Sequence, residues 1–263
     1  MGTARTDFPP LRQGLAANRF LRAAVLPVMR KLDKPITVTH AYTGLPLHLL
    51  SYTHKGYWYY GKTREAATMR RIARLVHSGD TVIEAGSQIG YLAQYLARLV
   101  GPQGRVHVFE PRSLNARFVT ENLAPLQNAL HIKAALAAEA AERGLYKDSK
   151  GVLRTRHPRP PEPEAGQLRI VERKMLSMRL DDYVFRHNVM PNFLKIDVQG
   201  NEFHVLSGGH ATLGRTPALM VEVSKDQQAI FDLLRDHRFK LSDGYGTPIN
   251  AVRAMSGTIF AIR

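Results

Sequence analysis

The chain has 263 residues and a formal net charge of +15, because lysine and arginine outnumber aspartate and glutamate by 37 to 22. Hydrophobic residues make up 44% of the chain and charged residues 22%, which is typical of a folded globular protein and argues against disorder or fibrous repeats. The absence of cysteine excludes disulfide bonds, thiolate metal sites and a cysteine nucleophile.

Hydropathy and charge indicate where the protein acts. No apolar run reaches the roughly 20 residues of a membrane-spanning helix, and the first residues lack the pattern of a signal peptide. We therefore expect a cytoplasmic location. The positive charge predicts attraction to anionic molecules or surfaces without identifying them. The length suits one large domain, residues 64–263, with an N-terminal extension, residues 1–63.

The extension begins with a basic amphipathic segment. Apolar residues recur at helical spacing over residues 21–32, with arginine and lysine between them. Pro27 interrupts this pattern, which predicts two short helices or one kinked helix. The segment either packs on the main domain as an arm or rests on anionic lipid, in which case the protein would be membrane-associated.

A β-hairpin is predicted after this segment. Residues 36–60 carry β-branched and aromatic side chains on both sides of Thr43-Gly44, where the chain is expected to turn. The aromatic residues 57–60 then form either the packing face of the hairpin or an aromatic wall beside a ligand.

Strands and helices alternate from residue 64 onward, which is typical of a mostly parallel sheet covered by helices on both faces. We therefore predict a three-layer α/β sandwich. The predicted strands are residues 82–83, 106–109, 130–136, 193–196 and 218–223, and helices are expected to follow at Tyr91, Ser113, Asn201 and Asp226.

The polar segment 143–166 interrupts this alternation. It contains several lysines and arginines and then the proline-rich stretch HPRPPEPEAG, residues 157–166. Prolines without helical spacing predict a surface loop with no buried element. The loop is either solvated or a basic flap over an acidic or phosphorylated substrate.

The stretch VIEAGSQIG, residues 82–90, predicts a ligand-binding turn. An acid, Glu84, ends the first strand, and in a doubly wound sheet ligands bind in the crevice beyond this strand. A dinucleotide fingerprint would require glycine at positions 86, 88 and 91, so that the backbone could approach a pyrophosphate. Gln88 and Tyr91 occupy two of these positions, so a nucleoside without phosphates fits better.

Three further carboxylates are expected at the same edge of the sheet. Glu110 ends the second strand, where an acid can accept both hydroxyls of a ribose. Asp197 follows the strand 193–196, and Glu222 lies near the end of the strand 218–223. Asp197 has a structural alternative, in which it only stabilises the turn before the next helix.

Together these motifs resemble the FkbM family of S-adenosylmethionine-dependent methyltransferases. The resemblance rests on VIEAGSQIGYLAQYLA, VHVFEP, MRLDDY and FLKIDVQGNEFHVLSGG in that order, followed by a strand ending in glutamate, and covers about residues 64–263. It implies a class I methyltransferase fold, which is Rossmann-like, with a seven-stranded, mostly parallel sheet whose last strand, residues 259–262, is antiparallel. It also implies methylation of a hydroxyl on a sugar, glycan, glycolipid or secondary metabolite.

The resemblance also implies roles for residues. Glu84 would hold the amino group of S-adenosylmethionine, Glu110 its ribose, and the backbone at Ala134-Ala135 would border its adenine. Asp197 is the predicted catalytic residue that orients or deprotonates the acceptor hydroxyl, with Glu222 as the second candidate, and no metal site is predicted. The full predicted cofactor set is Glu84, Gly86, Ser87, Gln88, Gly90, Tyr91, Glu110, Ser113, Asn115, Ala134, Ala135 and Asp197.

Three positions depart from the family pattern. Relatives usually carry Asp at Glu84, Asn at Gln88 and Glu at Gln199. The first two differences preserve hydrogen-bonding capacity. The third removes a carboxylate that could bind a metal or act as a second base, although Glu202 remains.

Two other functions stay open from the sequence. The net charge and the arginine-rich loop suggest an RNA methyltransferase, and Asp197 with Lys225 would supply half of the Lys-Asp-Lys-Glu set of ribose methyltransferases. A non-catalytic protein of the same fold could instead bind membranes or anionic glycans through its basic segments. The expected partner is a hydroxyl-bearing acceptor, and nucleic acid is the less favoured one.

Overall fold

The computed structural model describes residues 27–28, 30–148, 153–156 and 168–263. Most of the predicted amphipathic segment and the whole proline-rich stretch lie outside these ranges. Within the described part of the chain, no helix is long and apolar enough to cross a membrane.

Strands and helices alternate from residue 81 to 132 and again from residue 168 to 243, as predicted, whereas the strands between residues 129 and 178 follow one another without a helix. The strands are β1 (Pro35–Thr39), β2 (Pro46–Leu50), β3 (Thr81–Ala85), β4 (Arg105–Phe109), β5 (Ala129–Ile132), β6 (Ala135–Leu136), β7 (Ala141–Asp148), β8 (Leu153–Arg156), β9 (Leu168–Met178), β10 (Phe193–Ile196), β11 (Ala218–Val223), β12 (Lys240–Asp243) and β13 (Gly257–Ile262). The α-helices are α1 (Lys55–Tyr59), α2 (Ala66–Leu75), α3 (Tyr91–Val100), α4 (Ser113–Leu123), α5 (Leu180–His187), α6 (Glu202–Ser207), α7 (His210–Leu213) and α8 (Gln227–Asp236).

The main sheet has seven strands in the order β12-β13-β11-β10-β3-β4-β5. The pairs from β11 to β5 are parallel, whereas β13 runs antiparallel to both β11 and β12. The predicted seven-stranded sheet with an antiparallel last strand is therefore confirmed. Because parallel strands end at one edge, the carboxyl ends of β3, β4, β10 and β11 meet there.

Apolar side chains cover both faces of this sheet, which confirms the three layers. Alternate residues of a strand point to opposite faces, so Val82 and Ile83 of β3 belong to different clusters of buried residues. The cluster around Ile83 packs against α5, α6 and α8, whereas the cluster around Val82 packs against α2, α3 and α4. The second cluster also contains Leu47 and Leu49 of β2, so the N-terminal extension shares a core with the domain.

The predicted hairpin forms, but it is shorter than expected. β1 and β2 pair antiparallel, and Gly44 lies in the turn with a φ of +74°, a conformation that favours glycine. Residues 55–59 form α1, so the prediction that the hairpin continues to residue 60 was wrong. The physical reason is Asp33, whose carboxylate accepts the backbone N–H groups of Tyr52 and Thr53 and ends the second strand in a turn.

A second sheet of four strands occupies much of the segment that we expected to be a loop. Its order is β6-β9-β7-β8, and β7 pairs antiparallel with both neighbours. The prediction of a surface loop was therefore wrong for residues 143–148 and 153–156. The pairing of β7 with β9 contains two register shifts around Leu145, and such an irregular strand does not give the regular pattern by which a strand is predicted.

The third predicted strand, residues 130–136, was also wrong in its extent. β5 ends at Ile132, and the next residues cross to the other sheet, where Ala135 pairs with Ser177 of β9. A two-residue connection between two sheets leaves no break in the apolar pattern, which explains the error.

Candidate active site

The two glycines of the first turn have different structural roles. A Cβ atom at Gly86 would overlap the backbone carbonyl of Asp197, so glycine allows the chain after β3 to approach the chain after β10. Gly90 has room for a side chain but a φ of +82°, so it is required for its conformation. Gln88 between them also adopts a positive φ, of +56°. The turn is thus a tightly specified loop at the carboxyl edge of the sheet.

Glu84 is fully buried beneath this turn and is paired with Lys195. Parallel pairing of β3 and β10 places the two residues opposite each other, with Lys195 Nζ 3.4 Å from Glu84 Oε1. Ser87 Oγ donates to Glu84 Oε2 at 3.0 Å. Lys195 Nζ also donates to the carbonyl oxygen of Gly86 at 2.6 Å and lies 3.7 Å from Asp197 Oδ2. One buried ammonium therefore connects the turn with both carboxylates.

The burial of this pair sets its titration. Burial raises the pKa of the Glu84 carboxyl, and the Lys195 ammonium and the Ser87 hydroxyl oppose that rise. Burial alone would lower the pKa of Lys195, but the Glu84 and Asp197 carboxylates outweigh it and raise the pKa. Lys195 is therefore a cation at neutral pH, and the charge of Glu84 depends on it.

Glu110 lies at the end of β4 and is 3% exposed. Its Oε2 accepts the backbone N–H of Gln88 at 2.9 Å, and its Oε1 accepts the backbone N–H of Arg112 at 3.1 Å. Burial raises the pKa of Glu110, and the Arg112 guanidinium, 3.6 Å away, opposes the rise. Each carboxylate oxygen can accept a second hydrogen bond, so Glu110 retains acceptor capacity for ribose hydroxyls.

The remaining predicted cofactor residues lie near Glu110 or after β5. Asn115 is buried, and its side chain lies between the Glu110 carboxylate and the Arg112 guanidinium. Ser113 starts α4. Ala134 is buried directly after β5, and Ala135 lies in β6. The structure thus brings the Asn115 side chain to Glu110, and Ser113 begins the helix that carries Asn115.

Tyr91, the first residue of α3, is buried under the N-terminal extension. Its ring stacks on His40 at 4.1 Å and lies 4.8 Å from the ring of Tyr57. His40 Nε2 bonds to the carbonyl oxygen of Tyr91 at 2.9 Å, and burial lowers the pKa of His40 to about 4, so this imidazole is neutral. Tyr91 therefore attaches the extension to the glycine turn.

Sequence reasoning did not assign Tyr57 to the cofactor turn. The Tyr57 hydroxyl donates to Gln88 Oε1 at 2.6 Å, and the Arg64 guanidinium lies 4.1 Å above the Tyr57 ring. The sequence indicated this contact only through the run of aromatic residues at 57–60. We interpreted that run as a packing face or as an aromatic wall beside a ligand, and neither interpretation selected Tyr57.

Asp197 and Glu222 lie together at the rim of the crevice. The Asp197 side chain is 42% exposed, in contrast to the buried Glu84 and Lys195. Glu222 is half-buried and accepts a hydrogen bond from Thr258 Oγ1 at 2.7 Å. Burial raises the pKa of Glu222, and the charge of Asp197 raises it further while the Thr258 hydrogen bond opposes the rise. Both carboxylates are therefore partly exposed.

The turn after Asp197 is held by Glu202. This residue is 1% exposed, and its Oε1 accepts the backbone N–H groups of Val198 at 3.2 Å and Gly200 at 2.8 Å. Asn201 precedes α6 but makes no capping hydrogen bond with its side chain. The Glu202 carboxylate occupies the N–H groups of the turn instead. Among the described residues, no group of three or more His, Asp or Glu side chains could hold a metal ion.

These groups fit S-adenosylmethionine, which is a cationic nucleoside. Four carboxylates at one edge suit an ammonium and a sulfonium, and Glu110 suits a ribose. The N–H of Gln88 is already bonded to Glu110, so it is not free to bind a pyrophosphate. The fold and this edge define an α/β protein with a group of carboxylates at the carboxyl ends of its parallel strands, where such folds bind their ligands.

Sequence comparison identifies the family. The family described as "Methyltransferase FkbM domain" matches residues 84–243, more than half of the chain. The chain therefore belongs to the FkbM methyltransferases; it is a methyltransferase, and S-adenosylmethionine is its cofactor. A search of curated proteins found no match.

Solved structures of other methyltransferases resemble the chain in outline. An S-adenosylmethionine-dependent O-methyltransferase from Thermotoga maritima is 16% identical, with coverage of 74% of this chain and 64% of that chain and a TM-score of 0.44. Aeropyrum pernix fibrillarin with bound S-adenosylmethionine is 12% identical, with 87% and 82% coverage and a TM-score of 0.45. An rRNA methylase from Streptococcus thermophilus is 11% identical, with 76% and 92% coverage and a TM-score of 0.40.

Proposed function

We propose that the protein is an O-methyltransferase that methylates a hydroxyl of a sugar, glycan, glycolipid or secondary metabolite. The observation that supports this proposal is the accessible carboxylate of Asp197, directly after β10. Its Oδ2 lies 3.7 Å from the Nζ of Lys195, with which it forms an ion pair. A carboxylate in this position can accept the proton of a hydroxyl. The resemblance of the motifs to FkbM enzymes supports the class of acceptor.

The cofactor would be held by residues of the first two strand ends. Glu110 would accept the ribose hydroxyls, with Ser113 and Asn115 beside it, and Ala134-Ala135 would border the adenine. The fully buried Glu84 would attract the amino group of the cofactor from beneath the turn of Gly86, Ser87, Gln88, Gly90 and Tyr91. Lys195 already neutralises part of this negative charge, so Asp197 would share the attraction.

When bound, S-adenosylmethionine supplies an electrophilic methyl group on a sulfonium that leaves as a neutral thioether. Asp197 would orient the acceptor hydroxyl and take its proton as the oxygen–carbon bond forms. Alignment of reacting groups contributes about 7–11 kcal/mol to such a reaction, whereas a general base contributes about 10²–10⁴-fold. Positioning of the acceptor is therefore expected to dominate the rate, with Asp197 as the base and Glu222 as the second candidate.

A labelled methyl-donor assay tests the acceptor class. The purified full-length chain is incubated with S-adenosylmethionine and separate glycan, lipid and RNA extracts, and mass spectrometry locates the products that gain one CH₂. We expect labelling of a hydroxyl in the glycan or lipid fraction. Salt-sensitive labelling confined to RNA would contradict the proposal and favour an RNA methyltransferase.

The variant Asp197→Asn tests the proposed base. It should lower turnover by about 10²–10⁴-fold, much more than it lowers the affinity for S-adenosylhomocysteine, because the isosteric amide fits the same space but cannot accept the proton. Asp232→Asn is the matched control, since Asp232 is exposed on α8 and bonds only to Gln228 within that helix. Unchanged turnover in Asp197→Asn would exclude the role of base.

A further inference from the structure

One hydrogen bond from the N-terminal extension reaches the side chain of Gln88 in the cofactor turn. Tyr57 in α1 donates its hydroxyl proton to Gln88 Oε1 at 2.6 Å. Burial raises the pKa of Tyr57 to about 12, so the hydroxyl remains a donor at neutral pH. Tyr57 lies outside the matched family segment, residues 84–243. An element that precedes the methyltransferase motifs thus bonds directly to their central turn.

The bond continues to the carboxylate that we assign to the ribose. The backbone N–H of Gln88 donates to Glu110 Oε2 at 2.9 Å, so Tyr57, Gln88 and Glu110 form a chain of hydrogen bonds. Gln88 is also held at a φ of +56°, a conformation that few residues other than glycine adopt readily. A side-chain bond that fixes Gln88 therefore helps to keep its N–H directed at Glu110.

The position of Tyr57 is itself well defined. The Arg64 guanidinium lies 4.1 Å above its ring, and the Tyr91 ring lies 4.8 Å away on the same cluster. The Tyr91 ring contacts the Tyr57 ring, whereas Arg64 contacts both the ring and, through a side-chain hydrogen bond, the hydroxyl. Removal of the hydroxyl alone would leave the ring contacts in place, so the position of the ring and the bonding of the hydroxyl can be tested separately.

We propose that Tyr57 is a positioning residue for S-adenosylmethionine, and that the N-terminal extension completes the cofactor site by holding Gln88 and, through it, Glu110. The inference rests on the proposed assignment of Glu110 and the glycine turn to the cofactor. It assigns Tyr57 no contact with the reacting atoms. The extension is then part of the donor site as well as a structural attachment.

The test compares Tyr57→Phe with Tyr183→Phe by calorimetric titration of the full-length chain with S-adenosylhomocysteine. Both variants remove one hydroxyl that makes a short side-chain hydrogen bond, since the Tyr183 hydroxyl lies 2.7 Å from His107 Nδ1. We expect Tyr57→Phe to bind about 2–10-fold more weakly and Tyr183→Phe to bind like the wild type, because each variant loses the hydrogen bonding of one hydroxyl but only the Tyr57 hydroxyl bonds to the turn. The measurement requires no methyl acceptor.

A double-mutant cycle separates positioning from a general loss of structure. In the background of Gln88→Leu, which also binds more weakly, Tyr57→Phe should have little further effect, because its partner is already missing. Equal affinity of Tyr57→Phe and wild type would overturn the inference, as would equal weakening in Tyr183→Phe or full additivity in the cycle. If the wild type itself fails to bind, the proposed cofactor site is wrong, and the inference falls with it.

Discussion

Lys195 should be the most sensitive single position in the site. In Lys195→Met, the fully buried Glu84 loses the ammonium 3.4 Å away, and the carbonyl oxygen of Gly86 loses its 2.6 Å hydrogen bond. Removal of one partner of a buried ion pair costs about 3–5 kcal/mol, because the other charge is left without compensation. For a protein of this size that corresponds to a decrease in melting temperature of about 6–20 °C.

The loss should depend on pH, and its sign follows from Glu84. Burial already raises the pKa of Glu84, and without Lys195 that pKa rises further. An acid whose pKa is higher in the folded than in the unfolded protein lowers the free energy of unfolding as the pH rises from the unfolded-state pKa to the folded-state pKa. The difference between Lys195→Met and wild type should therefore be larger at pH 8 than at pH 5, where protonation of Glu84 relieves the buried charge.

Urea unfolding at the two pH values measures this effect. Adding Glu84→Gln to Lys195→Met should restore part of the lost stability, since it removes the uncompensated charge. Lys240→Met, in the exposed position of edge strand β12, is the control and should change stability by no more than about 0.5 kcal/mol. If Lys195→Met lowers the free energy of unfolding by less than about 1 kcal/mol, or if the double variant is less stable than Lys195→Met, then the buried Glu84 charge does not depend on Lys195.

Three further predictions concern stability. Gly86→Ala should lower the melting temperature far more than Gly44→Ala. Both glycines have a positive φ, but only at Gly86 would a Cβ atom overlap the backbone carbonyl of Asp197. Similar decreases in the two variants would contradict this. Asp181→Ala should cost about 1–2 kcal/mol in urea unfolding without changing cofactor affinity, because its carboxylate accepts two N–H groups at the start of α7; weakened binding would indicate a functional role. On acidification from pH 6.5 towards pH 4, the wild type should lose more stability than His40→Gln. In the folded wild type, buried His40 has a pKa of about 4 and stays neutral, whereas His40 of the unfolded chain takes up a proton, which favours unfolding. Parallel pH profiles of the two proteins would contradict this.

The sequence predicted the sheet and its acidic edge because both are local signals. Short apolar strands, each ending in an acid, identified β3 and β4 and placed Glu84 and Glu110 at one edge. The period of a strand also accounts for the ion pair of Lys195 with Asp197, because residues two apart share a face. These inferences need only the period of a strand and the rule that parallel strands end together.

The contacts between distant segments could not be predicted in this way. The pairing of Lys195 with Glu84 requires the register of β3 against β10, and the bond from Tyr57 to Gln88 requires the packing of the extension on the domain. Neither leaves a periodic signal in one sequence. The sheet formed by β7, β8 and β9 was missed for a related reason, since register shifts and many charged residues hide its alternation.

The central claim is that an adenosyl cofactor without phosphates binds at the edge formed by the glycine turn and Glu110. Calorimetric titration of the wild type and Glu110→Gln with S-adenosylhomocysteine tests it most directly. We expect one site per chain in the wild type and at least about tenfold weaker binding in Glu110→Gln, since a charged acceptor of ribose hydroxyls is lost. Equal binding by the two proteins, or no binding by the wild type, would show that the cofactor does not bind at this edge.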